Sequence, residues 1–78
     1  MTDLQAKRLI ARNLRQFREE AGLSMSALAR MIDDYPATIQ RLEEARSMPG
    51  VGLMTRLGAA LDKTLNDFVE PEHSKVFA

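Results

Sequence analysis

The chain contains no cysteine. A disulfide framework and a thiolate metal site are therefore excluded, and a reducing, cytoplasmic setting is the expected one. Nor is there an excess of either charge, since eleven Lys and Arg balance eleven Asp and Glu. Non-specific nucleic-acid affinity comes from neutralised phosphates, so a net charge of zero works against indiscriminate binding to DNA. No apolar run is long enough to span a bilayer and no signal-peptide pattern opens the sequence, so no membrane partner is expected. The opening MTDLQAKRLIARNLRQF is amphipathic and Arg-rich, as a transit peptide is, but its apolar positions are spaced to serve a core. The single histidine, His73, lies in the tail, and there is no Gly-rich phosphate loop and no HExxH spacing. With 78 residues, the chain is one small domain without room for a sizeable substrate pocket. No enzyme, no metal site and no cofactor is expected.

The charges that are present are unevenly placed. Residues 1–18 carry Lys7, Arg8, Arg12, Arg15 and Arg18 against Asp3 alone. Acids then cluster at Glu19-Glu20, Asp33-Asp34 and Glu43-Glu44.

Apolar spacing predicts five helices and no strand. The first opens at Thr2 or Asp3, where Thr2 and Gln5 form a capping-box pattern, and buries Ala6, Ile10, Leu14, Phe17 and Ala21. Arg8, Arg12 and Arg15 fall on its opposite, solvated face, and Arg18 flanks the stripe. Gly22 ends this helix and Ser24 caps the next, whose inner face is Leu28, Ala29 and Ile32. Asp33-Asp34-Tyr35 is the turn, and Pro36 fits the first position of a third helix, where its missing N–H costs nothing. There Ile39 and Leu42 face inward and Ala37, Arg41 and Glu44 outward, while Glu43 sits on the inner flank, where a carboxylate needs a partner. Val51, Met54, Leu57, Gly58 and Leu61 mark the fourth helix, and Thr64 and Asp67 box the start of a fifth, through Leu65, Phe68 and Val69, which Pro71 stops. The fold class is all-α: a compact bundle over residues 1–70, followed by a tail at 71–78. Met31 and Met54 are expected to fill the core, and Met25 and Met48 to be exposed. Tyr35 is expected as a packed turn residue.

Two short helices joined by a tight turn, the second opening on proline, form a helix-turn-helix pattern. The ordered run Leu14…Arg18, Gly22-Leu23-Ser24, Leu28-Ala29, Thr38-Ile39, Arg41-Leu42-Glu43, Pro49 and Val51…Met54…Leu57…Ala60-Leu61 resembles the Cro/C1 (XRE) family of DNA-binding domains, over roughly residues 8–69. The resemblance implies a lambda repressor-like five-helix bundle that binds DNA as a dimer on palindromic operators. It also implies a structural ion pair between Arg18 and Glu43.

Several positions depart from the family pattern. Met25 stands where a phosphate-holding Gln is usual, Asp33 where the turn has Gly, and Asp34 in an apolar slot. Tyr35 replaces a Ser cap, Pro36 and Ala37 replace polar base readers, and Glu44-Ala45 replaces a polar or basic residue followed by Gly. Asp33 is still able to turn, since Asp adopts left-handed backbone. Asp34 fits its slot only if the turn rearranges and Tyr35 packs inward.

Base-contact candidates are Tyr35, Ala37 and Arg41: an Arg fork grips guanine through two hydrogen bonds, and Ala offers its methyl to thymine. Phosphate-contact candidates are Ser24, Thr38, Gln40 and Arg46, with helix N-terminal N–H groups. Glu44 is expected to repel phosphate or neutralise Arg41. Two readings follow. One is a sequence-specific transcription regulator that sets helix 3, about residues 36–45, into the major groove of double-stranded operator DNA as a homodimer. The other is a degenerate helix-turn-helix module that binds a protein partner. Phe68, Val69, Val76 and Phe77 are the candidate dimer surface.

Overall fold

A computed structural model describes residues 1–71. Five helices follow one another: α1 (Asp3–Glu20), α2 (Met25–Met31), α3 (Pro36–Glu43), α4 (Val51–Leu61) and α5 (Leu65–Val69). The capping boxes of α1 and α5 form as expected, with Thr2 paired to Gln5 and Thr64 to Asp67. Four successive helices end in the same way. Gly22, Asp33, Ala45 and Asp62 take left-handed backbone at φ 72°, 57°, 58° and 58°. Behind each, the next N–H reaches back to the helix: Leu23 to the Arg18 carbonyl, Asp34 to Ala29, Arg46 to Arg41 and Lys63 to Gly58. This is the Schellman arrangement, which satisfies carbonyls that the helix itself leaves open.

The core gathers Leu14 and Phe17 of α1, Leu28, Ala29 and Ile32 around α2, Ile39 and Leu42 of α3, Leu57 and Leu61 of α4, and Phe68 of α5. Phe17 and Phe68 meet edge to face with ring centroids 5.4 Å apart. Lys63 sets its ammonium over the Phe17 ring, 4.6 Å from the centroid.

Several expectations need correction. Met31 is 55% exposed, because it falls off the stripe formed by Leu28, Ala29 and Ile32. Met25 instead packs on the core; it lies four and seven residues ahead of Ala29 and Ile32, on their face of the helix. Val51 is exposed, whereas Leu53 and Met54 pack partly buried against the core, so α4 meets it from its third residue onward. Ala21 is exposed because α1 stops at Glu20 and the Schellman turn carries the chain away. Phe68 is 1% exposed, which removes it from a dimer surface. Val76, Phe77 and His73 lie outside the described residues.

Two close approaches hold α5 in place. At Gly58 a Cβ would stand 2.4 Å from the Lys63 carbonyl oxygen, so the α4–α5 turn folds over a position that tolerates no side chain. Asn13, on the flank of the α1 stripe, is fully buried and was not foreseen from periodicity. Its side-chain N–H groups donate to the carbonyls of Phe68 and Glu70, each at 2.8 Å. A five-residue helix has few internal bonds to close its C-terminal carbonyls, and Asn13 supplies them from α1. Replacing Asn13 with Ala removes its bonds to both carbonyls, the buried one at Phe68 among them. Urea titration of Asn13→Ala is expected to show a loss of about 1–3 kcal/mol; a change within error would contradict this role.

Candidate nucleic-acid interface

The helix-turn-helix is assembled from short-range hydrogen bonds and then bolted to α1. Ser24 caps α2, its hydroxyl accepting from the Ala27 N–H at 3.0 Å. The turn pivots on left-handed Asp33, as the sequence predicts. Tyr35 occupies the N-cap position of α3 without a side-chain cap bond. The Asp34 carboxylate, just ahead of it, accepts from the Tyr35 N–H at 2.7 Å and from the Thr38 hydroxyl at 2.6 Å, and its other oxygen lies 3.8 Å from the Arg56 guanidinium of α4. The slot expected to be apolar thus holds a carboxylate that ties the turn to the first turn of α3 and to α4. Tyr35 correspondingly turns outward, 76% exposed, rather than packing inward. The Thr38 hydroxyl bond, then the Tyr35 N–H, and beyond them the fields of Arg56 and Arg41 hold the Asp34 carboxyl below the usual aspartate range.

Beneath α3 lies the ion pair expected from the family resemblance. Arg18 Nε donates to Glu43 Oε2 at 2.6 Å and Nη2 to Oε1 at 2.9 Å, a two-pronged contact with the Glu43 side chain only 3% exposed. The third prong, Nη1, donates to the Leu23 carbonyl at 2.9 Å. One guanidinium therefore joins the end of α1, the α1–α2 turn and the end of α3. The Glu43 hydrogen bond, and secondarily its charge, raise the Arg18 pKa further.

On the outer side of α3, Ala37, Gln40, Arg41 and Glu44 are all exposed. Glu44 does not neutralise Arg41 as expected. Its carboxylate accepts from Gln40 Nε2 at 3.1 Å and from Arg46 Nη1 at 3.1 Å. Those two bonds hold its pKa below the usual glutamate range. Among the described residues, no hydrogen bond or ion pair holds the Arg41 guanidinium, whose field reaches Asp34. Three of the four phosphate-contact candidates are thus partnered by acids, Thr38 by Asp34 and Gln40 and Arg46 by Glu44, while Ser24 serves as a cap. Arg8, Arg12 and Arg15 lie exposed along the α1 surface as predicted. Arg15 pairs loosely with Glu19 at 3.4 Å, and Arg12 donates to the Pro71 carbonyl. The three arginines line an open groove against Glu43, Glu44 and Ala45 at the end of α3.

A helix-turn-helix family model, HTH_3, matches residues 14–68, from the middle of α1 to the buried Phe68 of α5. The chain belongs to the helix-turn-helix family. Among solved structures, this family member is similar to the crystal structure of an HTH_3 family transcriptional regulator from Vibrio cholerae, with a TM-score of 0.80 and 27% sequence identity. The likeness covers 86% of this chain and 38% of that regulator, so the chain spans little more than a third of its length. No curated protein matches the chain.

Two measurements check this anatomy. Glu43→Ala leaves a guanidinium buried without its carboxylate and is expected to cost about 3–5 kcal/mol by chemical denaturation; a cost below about 1 kcal/mol would show that the pair is not buried in solution. Asp34→Ala removes the carboxylate's bonds to the Tyr35 N–H and the Thr38 hydroxyl and is expected to cost about 1 kcal/mol at pH 7. Because the folded-state pKa of Asp34 is lowered, the ionised carboxylate stabilises the fold above the ordinary aspartate value of about 3.9 and loses that contribution as the pH falls through the folded value. The gap between wild type and Asp34→Ala is accordingly expected to narrow on acidification below about pH 4. A gap that stays constant with pH would reject a stabilising charge on Asp34.

Proposed function

We propose that this domain is a sequence-specific DNA-binding regulator that seats α3 in the major groove. Supporting the reading is the exposed α3 strip carrying an unheld Arg41, on a helix fixed to α1 from below by Arg18 and Glu43. A base reader needs this combination. Its fork must be free to meet a guanine edge, and the helix beneath it must not tilt, since two-point hydrogen bonding tolerates little angular error. Arg41 is the guanine reader, Ala37 offers a methyl to thymine, and outward-facing Tyr35 stands at the leading edge of the helix. Ser24, Thr38, Gln40 and Arg46 flank this strip as phosphate ligands. The working unit is a homodimer on a two-fold operator with half-sites one helical turn apart. The folded unit spans residues 1–70 with a tail at 71–78, and acts in the cytoplasm, where its DNA is.

A second reading, a helix-turn-helix that binds a protein partner instead of DNA, draws on one observation. The carboxylates Asp34 and Glu44 stand at the two ends of α3, where a duplex would bring phosphates.

Selection of bound sites from a random duplex library at moderate salt, with Arg41→Ala in parallel, separates the readings. The expected result is a palindrome whose preference is relaxed at one position per half-site by Arg41→Ala, with a loss of about 1–3 kcal/mol there. A palindrome indifferent to the substitution would remove Arg41 as the reader. No enriched sequence at all would favour the protein-binding module.

A further inference from the structure

The segment from the turn through the end of α3 carries more acid than base: Asp33, Asp34, Glu43 and Glu44 against Arg41 and Arg46. Three of these acids have structural work close at hand. Asp33 forms the left-handed turn, Asp34 binds the Tyr35 N–H and the Thr38 hydroxyl, and Glu43 anchors the helix to Arg18. Glu44 is different. It is exposed, and its hydrogen bonds are to the side chains of Gln40 and Arg46; no backbone N–H among the described residues is satisfied by its carboxylate. Neither bond joins Glu44 to another helix. Its partners are instead two of the side chains best placed to take phosphate, and Arg46 is fixed beside it because left-handed Ala45 turns the chain back over the end of α3.

We infer that Glu44 weakens the sequence-independent, phosphate-driven part of the domain's affinity for DNA by occupying Arg46 and Gln40. The inference rests on the DNA-binding reading above. An Arg46 held by Glu44 presents a neutral pair to the duplex. To bind phosphate it must leave a carboxylate close to the DNA backbone, so the counterion release that drives non-specific binding is cancelled at this position. Base contacts through Arg41, which Glu44 does not hold, are untouched. Sequence-independent attraction is thereby reduced, and binding depends the more on base contacts.

The test is a double-mutant cycle on a duplex of scrambled sequence, with the binding constant followed against salt for the wild-type chain, Glu44→Gln, Arg46→Ala and the double variant. Thermal unfolding of each establishes that all four remain folded. Glu44→Gln keeps the shape of the side chain and removes its charge. It is expected to bind the scrambled duplex several-fold more tightly, with a logarithmic salt slope steeper by about 0.9, the value for one added phosphate contact. In the Arg46→Ala background the same substitution is expected to leave the slope unchanged. An unaltered slope in Glu44→Gln would overturn the inference. So would an equal steepening without Arg46, which would mean that Glu44 acts by repulsion alone. If folded wild type and Glu44→Gln both fail to bind any duplex at low salt, the DNA-binding reading itself fails, and the inference falls with it.

Discussion

The Arg18–Glu43 pair is the contact on which the geometry of the helix-turn-helix depends. Residues 25 apart in sequence are joined by two charge-assisted bonds, and the remaining prong of the same guanidinium holds the turn between α1 and α2. Apolar packing of Ile39 and Leu42 keeps α3 on the core but permits sliding and rotation, since such contacts are non-directional. A planar fork on a carboxylate is directional. It sets which side of α3 faces out, and so determines that Ala37, Arg41 and Glu44 form the exposed strip.

Around this anchor the domain repeatedly uses polar groups to finish short helices. With helices of five to eight residues at α2, α3 and α5, internal ladders are short and the ends make up much of each element. Thr2, Ser24 and Thr64 cap the N-termini of α1, α2 and α5, and Schellman turns at Gly22, Asp33, Ala45 and Asp62 serve the C-termini. Asn13 reaches across from α1 for α5. Much of what holds the small fold together is therefore end-group satisfaction added to a modest core.

The same economy shapes the outer face. Carboxylates placed at both ends of α3 hold Thr38, Gln40 and Arg46, leaving Arg41 as the unheld cation of the strip. A chain with no net charge has little general attraction for DNA. On the proposed function, an interface built in this way relies on directed contacts rather than on a basic surface.

Helix positions, their caps and the left-handed turn at Asp33 were legible in the sequence, because each depends on residues within a few positions of one another. The need for a partner at Glu43 was legible too, since periodicity alone sets that charge beside an apolar stripe. The identity of the partner came through family resemblance, and the tertiary structure supplied the geometry that joins it. What the sequence did not disclose were contacts whose two halves are distant or whose choice among neighbours is a matter of angle. Asn13 looks like a surface residue until the end of α5 is folded against it. Asp34 looks misplaced until Thr38 and Arg56 surround it, and Tyr35 then turns to solvent. Glu44 stands within a turn of Gln40, Arg41 and Arg46, and spacing does not say which of them it takes. Local backbone chemistry is written in local sequence, whereas the pairing of a side chain is decided by which groups the fold brings within about 3 Å of it.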